Sequence, residues 1–248
     1  MGEIRLPDYS VTGDGNTTVF LLHGAFGAKE YWRAQLVALV HKGYRVVAWD
    51  APGYGLSPLP ADFSAESAAR ALVALIRAVG GKRNVLLGHS MGGMVLQRAY
   101  DYAPELIHGM VLSATSAAFG NPDGEWQKDF IRQRVAPLDA GRTLPEFAPK
   151  MLRTMMAPGA SGPEVDLVIQ VVSGMSPDTF RAAIAAITRF DARAVLPRIV
   201  VPVLCIAGEH DATAPAPVME KLASKIAGAE FALMKGVGHF GWAEAPDA

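Results

Sequence analysis

One serine of this chain stands between two glycines, in the stretch VLLGHSMGG (residues 85–93). The spacing Gly88-x-Ser90-x-Gly92 is typical of a nucleophile at the tip of a sharp turn from a strand into a helix. Such a turn strains the serine backbone, and glycine relieves the crowding on either side. A glycine-rich connection with an incidental serine is the alternative, but the apolar run before and the amphipathic run after favour a nucleophile. We therefore predict that Ser90 is catalytic.

A serine hydroxyl needs a base, and the chain order for this kind of turn is serine, acid, histidine. That order selects His239, which lies in the glycine-bounded loop KGVGHFGW, among the six histidines. The stretch VLCIAGEHDATAP offers two acids directly after a predicted strand, Asp211 and, as the alternative, Glu209. We predict a triad of Ser90, Asp211 and His239. Asp211 would orient His239, which would take the serine proton and return it to the leaving group.

Attack on a carbonyl also needs donors for the developing oxyanion. The backbone N–H of Met91, directly after the nucleophile, is the first candidate. The second should lie in a loop after an earlier strand, and HGAFG (residues 23–27) fits. In that loop the N–H of Ala25 is the preferred donor, and that of Phe26 is the alternative.

The elements that must position these residues follow from the apolar pattern. Short β-branched and apolar runs alternate with amphipathic segments, which indicates parallel strands covered by helices on both faces. The helix SAESAARALVALIRAVG has Ser64 as its predicted N-cap and Gly80 at its end. The predicted strands are TTVFLLHG, YRVVAWD, RNVLLGHS, IHGMVLSAT, VPVLCIAGEHD and AEFALMKG.

The strand pattern stops between residues 118 and 191, where proline and glycine separate four amphipathic segments. A stretch of this length is long for a plain connection and is typical of a lid or cap. We therefore predict a core domain of residues 1–117 and 192–248 and a helical cap of residues 118–191.

Composition narrows the functions and the partners. Of the 248 residues 50% are hydrophobic, and the net charge of -1 comes without a basic stripe, so we expect neither nucleic acid nor a membrane as partner. The beginning of the chain lacks the apolar core of a signal peptide, and no apolar run could span a bilayer. The single cysteine, Cys205, cannot form an intrachain disulfide. We predict a cytoplasmic protein that binds a small molecule.

A cofactor and a metal are not expected. The pair Gly53-x-Gly55 follows a strand, but Pro58 stands where a dinucleotide loop would need a third glycine. Histidines and acids do not form a zinc-binding spacing such as H-E-x-x-H.

With these motifs in their observed order, the chain resembles the α/β-hydrolase superfamily. The resemblance rests on LLHGAFG, WDAPGYGLS, GHSMGG, VPVLCIAGEHD and GVGHF and covers nearly the whole chain. It implies an eight-stranded, mostly parallel sheet with a helical cap after the sixth strand. The stretch before Asp211 is similar to 3-oxoadipate enol-lactonases and small carboxylesterases. Nine residues follow His239 in this sequence (248 minus 239), whereas members of the superfamily usually have a closing helix after this histidine.

The cap should select the substrate. Trp126 and Phe130 share a helical face, and Met155 lies near a helix end, so these three are candidate substrate contacts, although packing against the core would explain them equally well. Three arginines could also hold a substrate carboxylate, but most cap arginines are solvated, and none is assigned a role; they are Arg132, Arg134 and Arg153.

The sequence thus predicts a serine hydrolase of carboxylic esters or lactones that works through an acyl-enzyme. Three alternatives use the same fold. They are a hydrolase of C–C bonds in vinylogous diketones, a cofactor-free perhydrolase, and a small-molecule receptor with vestigial hydrolysis.

Overall fold

A computed structural model describes residues 6–121 and 123–248 of the chain. Seven strands form one sheet in the order β1-β3-β2-β4-β5-β6-β7. β1 runs antiparallel to β3, and the other neighbouring strands are parallel. The strands are β1 Tyr9–Thr12, β2 Thr17–Leu22, β3 Arg45–Trp49, β4 Arg83–His89, β5 Gly109–Ser113, β6 Val203–Gly208 and β7 Glu230–Met234.

Helices connect the parallel strands and cover the sheet. No helix within the described ranges is long and apolar enough to cross a membrane. Short 3-10 turns lie at Lys29–Trp32, Pro104–Leu106 and Leu196–Arg198. The α-helices are α1 Arg33–His41, α2 Ala65–Val79, α3 Met91–Tyr102, α4 Glu125–Asp139, α5 Leu144–Arg153, α6 Pro163–Ser173, α7 Pro177–Thr188, α8 Ala216–Ala223 and α9 Gly241–Glu244.

The predicted mostly parallel α/β sheet is confirmed. The residues that the structure describes contribute seven strands to it instead of the expected eight, and among these strands the helical insertion follows the fifth, β5, instead of the sixth. Among the described residues, Tyr9–Thr12 is the one strand before β2, and the chain turns after it at Gly13, whose φ is 79°. This antiparallel strand was not among the strands predicted from the sequence.

The core lies between the sheet and its helices. Phe20, Leu21 and Leu22 of β2 are fully buried, as expected for a parallel strand covered on both faces. α2 begins where the Ser64 hydroxyl accepts the N–H of Ser67 at 3.1 Å. Because β2 to β7 are parallel, their carboxyl ends meet at one edge of the sheet, where the loops that carry function usually lie.

Helices α4 to α7 all lie between β5 and β6, and backbone hydrogen bonds join the two ends of this segment. Ala118 and Asp191 form an isolated antiparallel bridge. The N–H of Phe119 donates to the carbonyl of Phe190 at 3.0 Å, and the N–H of Ala192 donates to that of Ala117 at 2.7 Å. The two ends of the predicted cap are thus adjacent, while the division into a core of 1–117 and 192–248 and a cap of 118–191 stays a prediction.

Candidate active site

Ser90 occupies a strained turn between β4 and α3. Its φ of 52° and ψ of -118° are unusual for a residue with a side chain. The Ser90 N–H donates to the carbonyl of Ser113 at 2.9 Å, and the Ser90 carbonyl accepts the Thr115 hydroxyl at 2.7 Å. Contacts from the end of β5 therefore hold the strained backbone in place.

The glycines on either side of this serine have no room for a side chain. A Cβ on Gly88 would lie 2.5 Å from the carbonyl oxygen of Gly92. A Cβ on Gly92 would collide with the carbonyl of Leu22 in β2. The crowding that the sequence spacing predicts is therefore present on both sides of the turn.

Asp211 and His239 form a buried hydrogen-bonded pair. The Nδ1–H of His239 donates to Oδ2 of Asp211 at 2.8 Å, and their side chains are 2% and 0% exposed. The other carboxylate oxygen accepts the N–H groups of Thr213 at 2.7 Å and Ala214 at 3.0 Å. Burial raises the pKa of the Asp211 carboxyl, but the charge and hydrogen bonds of these partners outweigh burial and lower that pKa.

The alternative acid, Glu209, points elsewhere. Its carboxylate accepts the N–H of Gly236 at 2.8 Å, and its side chain is 44% exposed. Both acids follow β6, but only Asp211 meets the imidazole of His239 within the part of the chain that the structure describes.

Glu244 holds the loop of His239, and the sequence analysis did not single it out. Its Oε2 accepts the N–H groups of Gly238 at 2.9 Å and Ala157 at 2.8 Å, and its Oε1 accepts the N–H of Phe240 at 3.1 Å. The N–H of His239 itself donates to the carbonyl of Met155 at 2.8 Å. A carboxylate a few residues after the candidate base, in a stretch otherwise of small and aromatic residues, was the available signal.

The candidate oxyanion donors lie where the sequence predicted loops. Met91 is the first residue of α3, and Ala25 and Phe26 line the same cavity as Ser90. Within residues 6–121 and 123–248, the N–H groups of these three donate to no protein acceptor. They are free for a ligand atom, which helix geometry explains for Met91, since the first N–H groups of a helix have no partner within it.

Two buried tyrosines fix the loop of Ala25. The hydroxyl of Tyr31 accepts the N–H of Gly24 at 2.8 Å, and the hydroxyl of Tyr54 donates to the carbonyl of Ala25 at 3.0 Å. His23 adds a third support, because its Nδ1–H donates to the Gly24 carbonyl at 2.8 Å and its Nε2 accepts the N–H of Ala51 at 3.0 Å. Burial lowers the pKa of His23, so the neutral ring keeps both bonds.

His89, next to the nucleophile in sequence, packs behind the turn. Its ring lies 4.9 Å from that of His239 and 5.9 Å from that of Trp242, between centroids. Burial lowers the pKa of His89 well below its ordinary value, and the charge of His239 lowers it further. The ring is therefore neutral and serves packing.

One cavity is lined by Ser90 and His239 and, in part, by residues of the insertion. Phe130 and Met155, two of the three predicted substrate contacts, line it together with Arg134. Trp126 does not line it; its side chain is 61% exposed and lies against Phe119, with 5.1 Å between ring centroids.

Comparison with known proteins defines the class. Residues 19–248 match the family described as the alpha/beta hydrolase family, so the chain belongs to that family. A curated relative from Variovorax paradoxus (strain S110), "Putative carbamate hydrolase RutD", is 34% identical over 226 residues, which cover 87% of this chain and 82% of the relative.

Solved structures of the same fold include esterases and a lactonase. A thermophilic esterase from Thermogutta terrifontis, solved with malate bound, superposes with a TM-score of 0.84 at 27% identity and covers 97% of this chain and 88% of its own. The enol-lactonase from Burkholderia xenovorans LB400 superposes with a TM-score of 0.82 over 97% of this chain and 92% of its own. Its identity is 22%, so this likeness shows the fold alone.

Proposed function

We propose that this protein is a serine hydrolase that cleaves carboxylic esters or lactones through an acyl-enzyme. One observation carries the proposal. Ser90, on a strained turn, shares a cavity with His239, and the ring of His239 donates to a buried, ionised Asp211. A serine nucleophile needs a base and a carboxylate that orients the base, and these residues supply the groups for both roles.

We assign each of these groups a role in the reaction. Nε2 of His239 takes the proton of Ser90 while Oγ bonds to the substrate carbonyl carbon. The carbonyl oxygen becomes an oxyanion and accepts the N–H of Met91 and that of Ala25 or Phe26. The oxyanion re-forms its carbonyl as the C–O bond to the alcohol breaks, and His239 gives its proton to that alcohol. Water, activated by His239, then hydrolyses the acyl-serine and releases the acid.

The relatives support acyl transfer and add a second candidate. One structural neighbour is an esterase at 27% identity, and one curated relative at 34% identity carries the name of a carbamate hydrolase. A carbamate also presents an acyl carbon to a serine, so the same groups would act on it. We therefore keep carbamate hydrolysis as the second candidate.

The test is a panel of aryl esters, lactones and carbamates, assayed with the native protein and with Ser90→Ala. We expect Ser90→Ala to retain its fold, measured by circular dichroism, and to lose turnover by on the order of 10⁴-fold or more. A fluorophosphonate probe should label Ser90 in the native protein and in the control variant Ser224→Ala, whose serine is exposed on the surface. Full turnover by Ser90→Ala, or labelling at a different serine, would refute the proposal.

A further inference from the structure

Arg134 brings a positive charge to the catalytic cavity without an acid beside it. It lines the cavity together with Ser90 and His239, and no Asp or Glu is among the described lining residues. Within residues 6–121 and 123–248, no carboxylate lies within ion-pair distance of its guanidinium. Its Nε is buried and has no hydrogen-bond acceptor there.

Three other arginines of the insertion are ion-paired. Arg132, on the same helix, pairs with Asp129, and Arg153 lies 3.7 Å from Asp166. Arg181 lies 2.6 Å from Asp139. These three contacts are at the surface. Arg134 differs from these three, because it lines the cavity and has no carboxylate partner among the described residues.

Aromatic packing fixes the position of this guanidinium. Its Cζ lies 3.5 Å from the ring centroid of Phe130, one helical turn earlier on α4. Phe130 packs in turn on Phe119, at 4.7 Å between centroids, and on Trp126, at 5.7 Å. A guanidinium stacked through its flat face keeps its N–H donors free in the plane, where a carboxylate can accept two of them.

Leaving such a cation unpaired is costly. Burial lowers the pKa of Arg134 to about 10, so the group is charged at neutral pH but poorly solvated. A carboxylate that enters with the substrate would replace the lost hydration by charge-assisted hydrogen bonds. A neutral acyl chain would fill the same space and leave the charge unpaired.

We propose that Arg134 binds a carboxylate of the substrate. The substrate is then an ester or lactone that carries a further, ionised carboxyl group. Its hydrolysis yields a dicarboxylate when that group lies on the acyl side or on a lactone ring, and a monocarboxylate with a hydroxy acid when it lies on the alcohol side. This inference rests on the proposed function, because it takes Ser90 of the same cavity as the group that attacks the ester.

The kinetic test compares two aryl esters of equal chain length, 4-nitrophenyl hemiglutarate, which is anionic, and 4-nitrophenyl valerate, which is neutral. The measured quantity is the ratio of their kcat/KM values. We expect Arg134→Gln to lower the ratio about tenfold or more, and Arg134→Lys to lower it less, since lysine keeps the charge but not the planar donors. The control is Arg132→Gln, two residues away and ion-paired at the surface, which should leave the ratio as in the native protein.

A binding test does not depend on turnover. Calorimetry measures the affinity of glutarate and of valeramide, which is neutral, for Ser90→Ala and for Ser90→Ala combined with Arg134→Gln. We expect glutarate to bind Ser90→Ala more tightly than valeramide does, and to lose about tenfold or more of its affinity when Arg134 is replaced.

The two tests separate the two proposals. Arg134-dependent binding of glutarate without hydrolysis of any ester would overturn the proposed function and leave the carboxylate site standing. Ester hydrolysis in which neither the kinetic ratio nor the affinity responds to Arg134→Gln would overturn the carboxylate site. If Arg134→Gln has a lowered melting temperature, Arg134→Met replaces it in both tests, and an unchanged ratio and affinity in that variant would equally overturn the carboxylate site.

Discussion

The carboxylate of Glu244 accepts hydrogen bonds from the loop of His239 on both sides of the histidine. It accepts the N–H of Gly238, directly before the histidine, at 2.9 Å, and that of Phe240, directly after it, at 3.1 Å. The same carboxylate accepts the N–H of Ala157 at 2.8 Å, and His239 itself donates its N–H to Met155. The loop of the candidate base is therefore held by contacts to α9 and to the insertion.

Replacement of Glu244 should disturb this base without touching the substrate. We expect Glu244→Ala to lower kcat on an aryl ester by about tenfold, to change KM less, and to cost about 2–3 kcal/mol of unfolding free energy, because three N–H groups lose a charged acceptor. Steady-state kinetics and urea unfolding measure both effects. Glu220→Ala, at an exposed position of α8, is the control. A Glu244→Ala protein with native kcat would show that the loop keeps its position without this carboxylate.

Replacement of Asp211 should distinguish the two acids after β6. Asp211→Asn removes the charge that orients Nδ1–H of His239, and we expect kcat to fall by on the order of 10³- to 10⁴-fold. Glu209→Gln should change kcat less than about twofold, since Glu209 contacts the N–H of Gly236 at the surface. The reverse result in an ester assay would assign the acid to Glu209.

Asp211 also gives the stability a defined pH dependence. Because its pKa is lower in the folded chain than in the unfolded chain, its ionised form stabilises the fold above about pH 4, and this contribution is lost as the pH falls through the folded pKa. We expect the difference in unfolding free energy between the native protein and Asp211→Asn to shrink below about pH 4. Urea unfolding at pH 3 to 7 measures it, and a difference that grows toward pH 3 would contradict the assignment.

Cys205 should be inert in the folded protein. Its side chain lies in β6 with 0% exposure, and burial raises the pKa of its thiol to about 11, so little thiolate forms at pH 8. We expect a disulfide reagent such as DTNB to react with about one thiol per chain in denaturant and with far less in native buffer. Cys205→Ala should retain ester hydrolysis. Rapid native reaction with loss of activity would place the thiol at the cavity.

The sequence predicted best what local spacing controls. The turn at Ser90 is encoded by Gly88 and Gly92, whose missing side chains are a local requirement, and the parallel strands are encoded by their apolar runs. The pairing of Asp211 with His239 could be expected from chain order, although two acids followed β6. The choice between them depends on loop geometry, which turns one carboxylate inward and leaves the other exposed.

The spacing of residue types along the sequence could not predict contacts between segments that are distant in the chain. Trp126 and Phe130 share a helical face, and of these two Phe130 lines the cavity. Trp126 instead packs against Phe119, and most of its side chain is exposed to solvent. The role of Glu244 depends on Ala157, which is 87 residues earlier in the chain. β1 is a short edge strand with half-exposed residues, so it lacks the apolar run that marks the central strands.

Ala117 and Ala192 are hydrogen-bonded where the insertion begins and ends, so a short linker between them could replace the insertion without moving β5 or β6. Such a replacement would nevertheless remove two contacts of the active-site loop, because the carbonyl of Met155 accepts the N–H of His239 and the N–H of Ala157 donates to Glu244. Exchange of this segment between related chains would therefore change the lining of the cavity and, unless those two backbone groups return in the same place, the position of the candidate base as well. One segment of this chain thus both lines the cavity and holds the loop of His239.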